Sequence, residues 1–318
     1  MWAYMLESPA QLSRTTAPRP SRETLAEGHV IARLLAGSVC GSDVSHFLGE
    51  WDRGPDRRRV AGYPMHEVVG EVIASTDDNF PLGTKIVGWA EHSTGLAEEF
   101  VAATHSIHAL PASTNPVYST IAQPLACVLF SVARLPDPAG KRAAVLGQGP
   151  LGLLFSHVLA DAGAHVAGVD RVDRADAAPK FGVKESIWDS THRWARTLDD
   201  ASRPEIVVES IGHQAATVDD AIEALSYGGT VFAFGVPDQR YYALNFQRLF
   251  RKQAILMGGV TENRHYWLGE ALRYLERHPE LADDYITHIF PIERAQDAYA
   301  LAATPCAGRF KVALRVSN

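Results

Sequence analysis

The chain has 318 residues, and its 30 Lys and Arg against 37 Asp and Glu leave a net charge of −7 at pH 7. At about 150 residues per domain, that length predicts two domains. The negative balance argues against a nucleic-acid or membrane-surface binder, because both partners are polyanionic. No run of about 18 apolar residues is present to cross a bilayer. Cys40, Cys127 and Cys306 are odd in number and far apart, so no disulfide framework is expected. A reducing, cytoplasmic setting is expected instead. The first residues lack a basic segment followed by an apolar one, so no secretory leader is expected.

The texture changes along the chain. Up to about residue 123, short strands alternate with Gly, Pro and polar turns: HVIARLLAGSV at 29–39, EVVGEVIAS at 67–75 and KIVGWA at 85–90. Such spacing predicts a β-rich, antiparallel or barrel-like unit. From about residue 125 the pattern becomes strand, helix, strand. It comprises a strand at 143–146, a helix from Pro150 to about Ala162, and a strand at 165–169. EIVVES follows at 205–210, then a helix near 215–225, GTVFAFGV at 229–236 and KQAILMGGV at 252–260. Alternating strands and helices predict a doubly wound parallel sheet. A helix near 267–277 and a turn, helix and strand across 290–316 complete the chain.

Gly147-Gln-Gly149-Pro150-Leu151-Gly152 is a G-x-G-x-x-G between an apolar strand and a helix. Gly147 permits the tight turn, Gly149 lets backbone approach a pyrophosphate, and Gly152 allows close helix–strand packing. Asp170 closes the next strand, where a carboxylate binds the adenosine ribose hydroxyls and repels a 2′-phosphate. This favours NAD. Arg171 and Arg174 keep NADP as the alternative, since either offers a cation for the 2′-phosphate.

In the β-rich part, Cys40-Gly-Ser42-Asp43 and Met65-His66-Glu67 supply thiolate, imidazole and carboxylate, all suited to Zn²⁺. By spacing alone this is weak evidence. Together with Gly70-Glu-Val72, Gln123-Pro-Leu-Ala126, the dinucleotide fingerprint, Gly95-Leu-Ala-Glu-Glu-Phe-Val101, Ile292–Tyr299 and Gly308-Arg-Phe-Lys-Val312, it forms an ordered set. That set resembles the zinc-containing medium-chain alcohol and polyol dehydrogenases over essentially the whole chain. The resemblance implies a Rossmann-type domain at 124–260 inserted in a β-rich, GroES-like catalytic domain at 1–123 and 261–318. The active site is then expected in the cleft between them. It implies Cys40, His66 and Glu67 as zinc ligands, with an open position for water or substrate. Ser42 and then His46 are the expected proton relay, with Glu67 also counted in the catalytic set and Asp43 orienting His66.

The departures are equally specific. The family's structural zinc needs four close cysteines, and this chain has three in all, so one catalytic-type zinc and no structural zinc is expected. Met65 stands where the family has Gly, and Gln123 where it has Glu. The expected function is NAD(P)-dependent hydride transfer between a secondary alcohol or its ketone and nicotinamide. Polyols, cyclitols or sugar-like compounds are the favoured substrates, and a biosynthetic tailoring role fits. The alternatives are a metal-free quinone or enoyl reductase of the same superfamily and a non-catalytic dinucleotide-binding sensor. Trp51, Phe47 and Trp89 are candidate pocket walls. Tyr241, Tyr242 and Phe246 are candidates for the nicotinamide end, and Lys311 or Arg309 for the pyrophosphate. The apolar 252–260 strand, at a sheet edge, predicts a homodimer or homotetramer by self-pairing.

Overall fold

A computed structural model describes residues 1–50 and 60–317, so the Trp51 candidate lies outside the described residues. The chain divides into two compact units: Met1–Ala126 with Asn263–Pro305 and Arg309–Asn318, and Cys127–Glu262 with Cys306–Gly308.

The first unit opens with β1 (Trp2–Ser8) and β2 (Gln11–Thr16), an antiparallel pair. β3 (His29–Ser38) follows, then β4 (Glu67–Ser75), β5 (Lys85–Trp89), β6 (Glu99–Ala103) and β7 (Ile107–Leu110). The second unit holds β8 (Arg142–Leu146), β9 (His165–Asp170), β10 (Val183–Trp188), β11 (Ile206–Glu209), β12 (Thr230–Ala233) and β13 (Ile255–Gly258). The chain then returns to the first unit with β14 (Ile286–Pro291) and β15 (Lys311–Arg315).

The second unit is a six-stranded sheet in the order β10-β9-β8-β11-β12-β13. Every pairing is parallel. The order reverses between β8 and β11, the place where doubly wound sheets bind ligands beyond their strand ends. β11 reads Ile-Val-Val-Glu with all four residues buried, as a strand covered on both faces must be. Its core joins Leu146, Val169, Trp194, Val207, Ile222 and Val231. β10 and the helix Thr191–Thr197 carry weak apolar periodicity and were not legible in the sequence.

The first unit is a seven-stranded sheet, β14-β15-β3-β4-β5-β7, with β6 also paired to β3. It is antiparallel except at β14–β15. Its core gathers Leu6, Leu34, Phe47, Met65, Val68, Phe100, Tyr299 and Leu314. Phe47 is only 1% exposed and meets Tyr299 at 5.4 Å, so it serves this core and is no pocket wall. Among the described residues, no helix is long and apolar enough to cross a membrane.

Met65 is fully buried, and its side chain lies over β3 at Gly37. A Cβ on Gly37 would come 2.6 Å from both Met65 Sδ and Cε. The larger residue before His66 is thus accommodated by a glycine on the neighbouring strand. Gly37→Ala should cost about 1–3 kcal/mol through overpacking. Combined with Met65→Ala, it should cost less than the sum of the singles by about 1 kcal/mol or more. Urea denaturation of the four proteins measures this, and additive losses would show that the contact is slack.

Candidate functional site

Cys40 caps the helix Gly41–Leu48 at its N-terminus. Asp43, in the first turn, reaches back so that its Oδ2 accepts from the Cys40 N–H at 3.1 Å. Its other oxygen, Oδ1, is 2.8 Å from His66 Nδ1. One buried carboxylate therefore fixes both the cysteine backbone and the imidazole. With Nδ1 held, Nε2 is the ring nitrogen left for a ligand. Burial works against the imidazolium form. Asp43 and the Cys40 sulfur more than offset it, so the His66 pKa is raised well above the ordinary histidine value.

His66 and Met65 are clamped by the short connection after β5. The Ala90 N–H donates to the His66 carbonyl at 2.9 Å, and the Met65 N–H donates to the Ser93 carbonyl at 2.8 Å. The Gly95 N–H returns to the Met65 carbonyl at 2.8 Å. His92 and Ser93 both take positive φ in this turn, 53° and 60°, a conformation that costs a non-glycine residue about 1 kcal/mol or more.

Glu67, at the start of β4, is completely buried. Lys311 Nζ lies 2.6 Å from its Oε1 and 2.5 Å from its Oε2. Ser38 Oγ donates to Oε2. Gln123 completes the set when its amide oxygen accepts from Trp89 Nε1 at 2.8 Å and its nitrogen donates to Glu67 Oε1 at 3.3 Å. A carboxylate has about four acceptor positions, and here each is filled. Burial disfavours the Lys311 ammonium, but Glu67 overcomes this and raises its pKa. Lys311 is thus committed to Glu67 and is not a pyrophosphate ligand. The sequence signal for it was a lysine at the head of the apolar strand Lys311-Val-Ala-Leu. Tyr299 was also missed: its hydroxyl donates to the Pro64 carbonyl, two residues before His66.

The donor atoms of Cys40, His66 and Glu67 all lie within 4.8 Å of one another. Ligands of a tetrahedral zinc at about 2.0–2.3 Å sit a little under 4 Å apart, so the set fits a metal after slight contraction. Ligation through Glu67 Oε1 would displace the Gln123 amide. Ser42 and His46 sit four residues apart on the helix Gly41–Leu48 and therefore share a face. The His46 ring lies 5.2 Å from that of Tyr63.

In the second unit, Gly147 has φ +87° and Gly149 caps the helix Pro150–Asp161. A Cβ on Gly152 would lie 1.7 Å from the Gly147 carbonyl oxygen, whereas a Cβ on Gly149 would meet nothing within 4 Å. The third glycine is demanded by packing, and the second leaves open space over the helix N-terminus where a phosphate fits. Ser210 Oγ pins the turn by donating to the carbonyls of Leu146 at 2.8 Å and Gly147 at 2.9 Å. Asp170 accepts the Gln148 N–H at 2.6 Å and the Val172 N–H at 2.8 Å. Arg171 is exposed beside it. Arg174 is not a candidate for a 2′-phosphate: it is 5% exposed and its Nη1 donates to the Cys306 carbonyl at 2.9 Å.

The glucose dehydrogenase C-terminus family matches residues 131–309, more than half the chain. The chain belongs to this family of zinc-containing medium-chain alcohol dehydrogenases. D-arabinitol dehydrogenase 1 of Uromyces fabae is 23% identical to this dehydrogenase over 94% of this chain and 93% of its own length. An L-threonine 3-dehydrogenase of Bacillus velezensis is 24% identical over 89% and 90%. An alcohol dehydrogenase from Thermus sp. ATN1 shares the fold over the whole of both chains, with a TM-score of 0.82 at 21% identity.

Removing the lysine from this dehydrogenase would leave a buried, unpaired carboxylate. Lys311→Met should cost about 3–5 kcal/mol, and adding Glu67→Gln should recover most of the loss. Equal stability of the single and double variants in urea would show that Glu67 does not depend on Lys311.

Proposed function

We propose that this dehydrogenase is zinc-dependent and NAD-linked, and acts on a secondary alcohol of a polyol, cyclitol or sugar-like compound. The observation that carries the reading is the Cys40, His66 and Glu67 donor cluster with Asp43 bonded to both the Cys40 backbone and His66 Nδ1. The names of the arabinitol and threonine dehydrogenases support the secondary-alcohol class. Cys40, His66 and Glu67 would hold a zinc ion, whose Lewis acidity would lower the pKa of an alcohol hydroxyl. Ser42 Oγ takes the alcohol proton by hydrogen bond, and His46, one helical turn on, passes it towards solvent. Asp43 keeps His66 in the tautomer that presents Nε2.

On the cofactor side, Gly147, Gly149, Pro150, Leu151 and Gly152 cradle the pyrophosphate. Asp170 spends one acceptor position of each oxygen on a backbone amide, which leaves lone pairs for the ribose hydroxyls. Arg171 borders the adenosine. With Arg174 buried elsewhere, one cation rather than two remains for a 2′-phosphate, which supports NAD. The dinucleotide carries the hydride chemistry, and the protein orients it and excludes water. Gln123 and the short connection at 90–94 support a specialised member of the family, such as a tailoring enzyme working as a ketone reductase. The shortened connection and the three cysteines support a single zinc per chain.

The metal-free reductase reading draws on one observation, that Glu67 is already saturated. Zinc analysis separates the two readings. Protein purified without chelator should hold about one zinc per chain. Cys40→Ser should lose the zinc, and turnover with NAD should fall at least about a thousandfold, the several kcal/mol that a Lewis acid supplies. Turnover without metal, kept in Cys40→Ser, would overturn the zinc-dependent reading.

We further propose a two-fold dimer through β13. This strand ends the sheet, and Ile255 and Leu256 on it are 51% and 38% exposed. Self-pairing would bury that edge. Leu256→Lys should shift the native chain from dimer to monomer in sedimentation, and an unchanged mass would assign the contact elsewhere.

A further inference from the structure

Arg264 opens the helix Arg264–Arg277 in the first unit and is half-buried. Its guanidinium lies over the Trp89 ring, 4.9 Å from the centroid. Trp89 is the direct cross-strand partner of Glu67, so the two side chains share a sheet face about 5 Å apart at their Cβ atoms. Trp89 also donates through its indole nitrogen to Gln123, which in turn reaches Glu67. Arg264 therefore stands one aromatic ring away from the donor cluster.

Several other arginines of this unit are paired with carboxylates, while Arg14 and Arg277 lie over the rings of Trp2 and Tyr274. Arg33 meets Glu71, Arg273 meets Glu270 and Arg294 meets Asp297. Arg264 has no carboxylate partner among the described residues. Its one polar contact is Nη1 to Ser106 Oγ at 3.4 Å, which is long for a hydrogen bond. Its place over the indole takes water from one side of the guanidinium. Apart from the Ser106 contact, the edge donors have no partner among the described residues. Glu67, the acidic side chain reached along this path, has all its acceptor positions filled. Gln123, which faces the same indole, carries no charge. Among the described residues, no carboxylate pairs with the cation.

We propose that Arg264 is a specificity-determining residue that binds an oxyanion on the alcohol substrate, a carboxylate or a phosphate a few carbons from the reacting carbinol. This rests on the dehydrogenase reading above. A planar fork with free edge donors suits either group by paired hydrogen bonds.

The test uses the zinc-loaded full chain with NAD and three substrates on one carbon skeleton: a neutral polyol, its terminal phosphate and the corresponding aldonate. The native enzyme should prefer the phosphate or the aldonate to the polyol by about tenfold or more in kcat/KM, and comparing these two identifies the anion. Arg264→Gln should raise KM for the charged substrate and lower its kcat/KM at least about tenfold more than that of the polyol, and Arg264→Lys should recover part of the preference. Zinc content and NAD affinity should not change.

A native preference for the neutral polyol, or equal losses for all three substrates in Arg264→Gln, would overturn the proposal. So would a loss of NAD affinity with the substrate preference intact, which would give the cation to the dinucleotide's own phosphates. Calorimetry with inorganic phosphate on the NAD-saturated protein reads the site without turnover. Phosphate binding that disappears in Arg264→Gln, with no alcohol turned over, would keep the anion site and sink the dehydrogenase reading. Turnover without charge preference, and phosphate binding equal in both proteins, would do the reverse.

Discussion

A fully buried carboxylate governs the first unit. Desolvating Glu67 is costly, and the cost is offset only if every oxygen finds partners. The partners come from distant parts of the chain: Ser38 at the end of β3, Gln123 in the helix Ala122–Val132, and Lys311 on the last strand. Lys311 reaches it because β15 pairs with β3, which pairs with β4. One ion pair thus rewards closure of the sheet between the two ends of the chain. An apolar replacement of similar volume would be about as stable. A charge retained there therefore points to work done at the neighbouring donor cluster.

The segments that carry Cys40 and His66 are then fixed by short-range devices. Asp43 ties Cys40 and His66 together from the first turn of a helix. Three backbone hydrogen bonds from 90–95 hold Met65 and His66. The same connection accepts two left-handed non-glycine residues to make those bonds. Met65 fills the volume over Gly37 that a glycine before His66 would leave empty. The short turn and the methionine act on the same two residues, so they read as one local solution rather than as two unrelated substitutions.

Much of this was legible in the sequence, because the signals are local. β3, β4 and β5 were read almost to the residue from apolar alternation between turns. The fingerprint glycines stand where a turn and a helix contact require them, and Gly152 is held to hydrogen by the Gly147 carbonyl. The N-terminal hairpin and β10 were not read, since their residues follow no strong period. The site's supporting partners were hidden for a different reason. Lys311 lies 244 residues from Glu67, and a lone lysine before an apolar strand looks like a surface cation until the sheet order places it inside. Arg174 misled in the same way, because a cation near Asp170 in sequence turned its guanidinium to a backbone carbonyl. Local spacing predicts which residues carry chemistry, but pairing across the sheet decides which charges they meet.

Charge accounting gives Gln123 a physical role. Gln123 reaches Glu67 as a neutral amide, so the pairing of Glu67 with Lys311 is one carboxylate against one ammonium. A glutamate at 123 would add another negative charge 3.3 Å from Glu67 Oε1 and face the indole on which Arg264 stacks. It would supply that arginine with an internal counter-ion. The neutral amide leaves Glu67 paired with Lys311 and, among the described residues, Arg264 without a carboxylate partner. On our proposal, the counter-ion of Arg264 then comes from an anionic substrate rather than from residue 123.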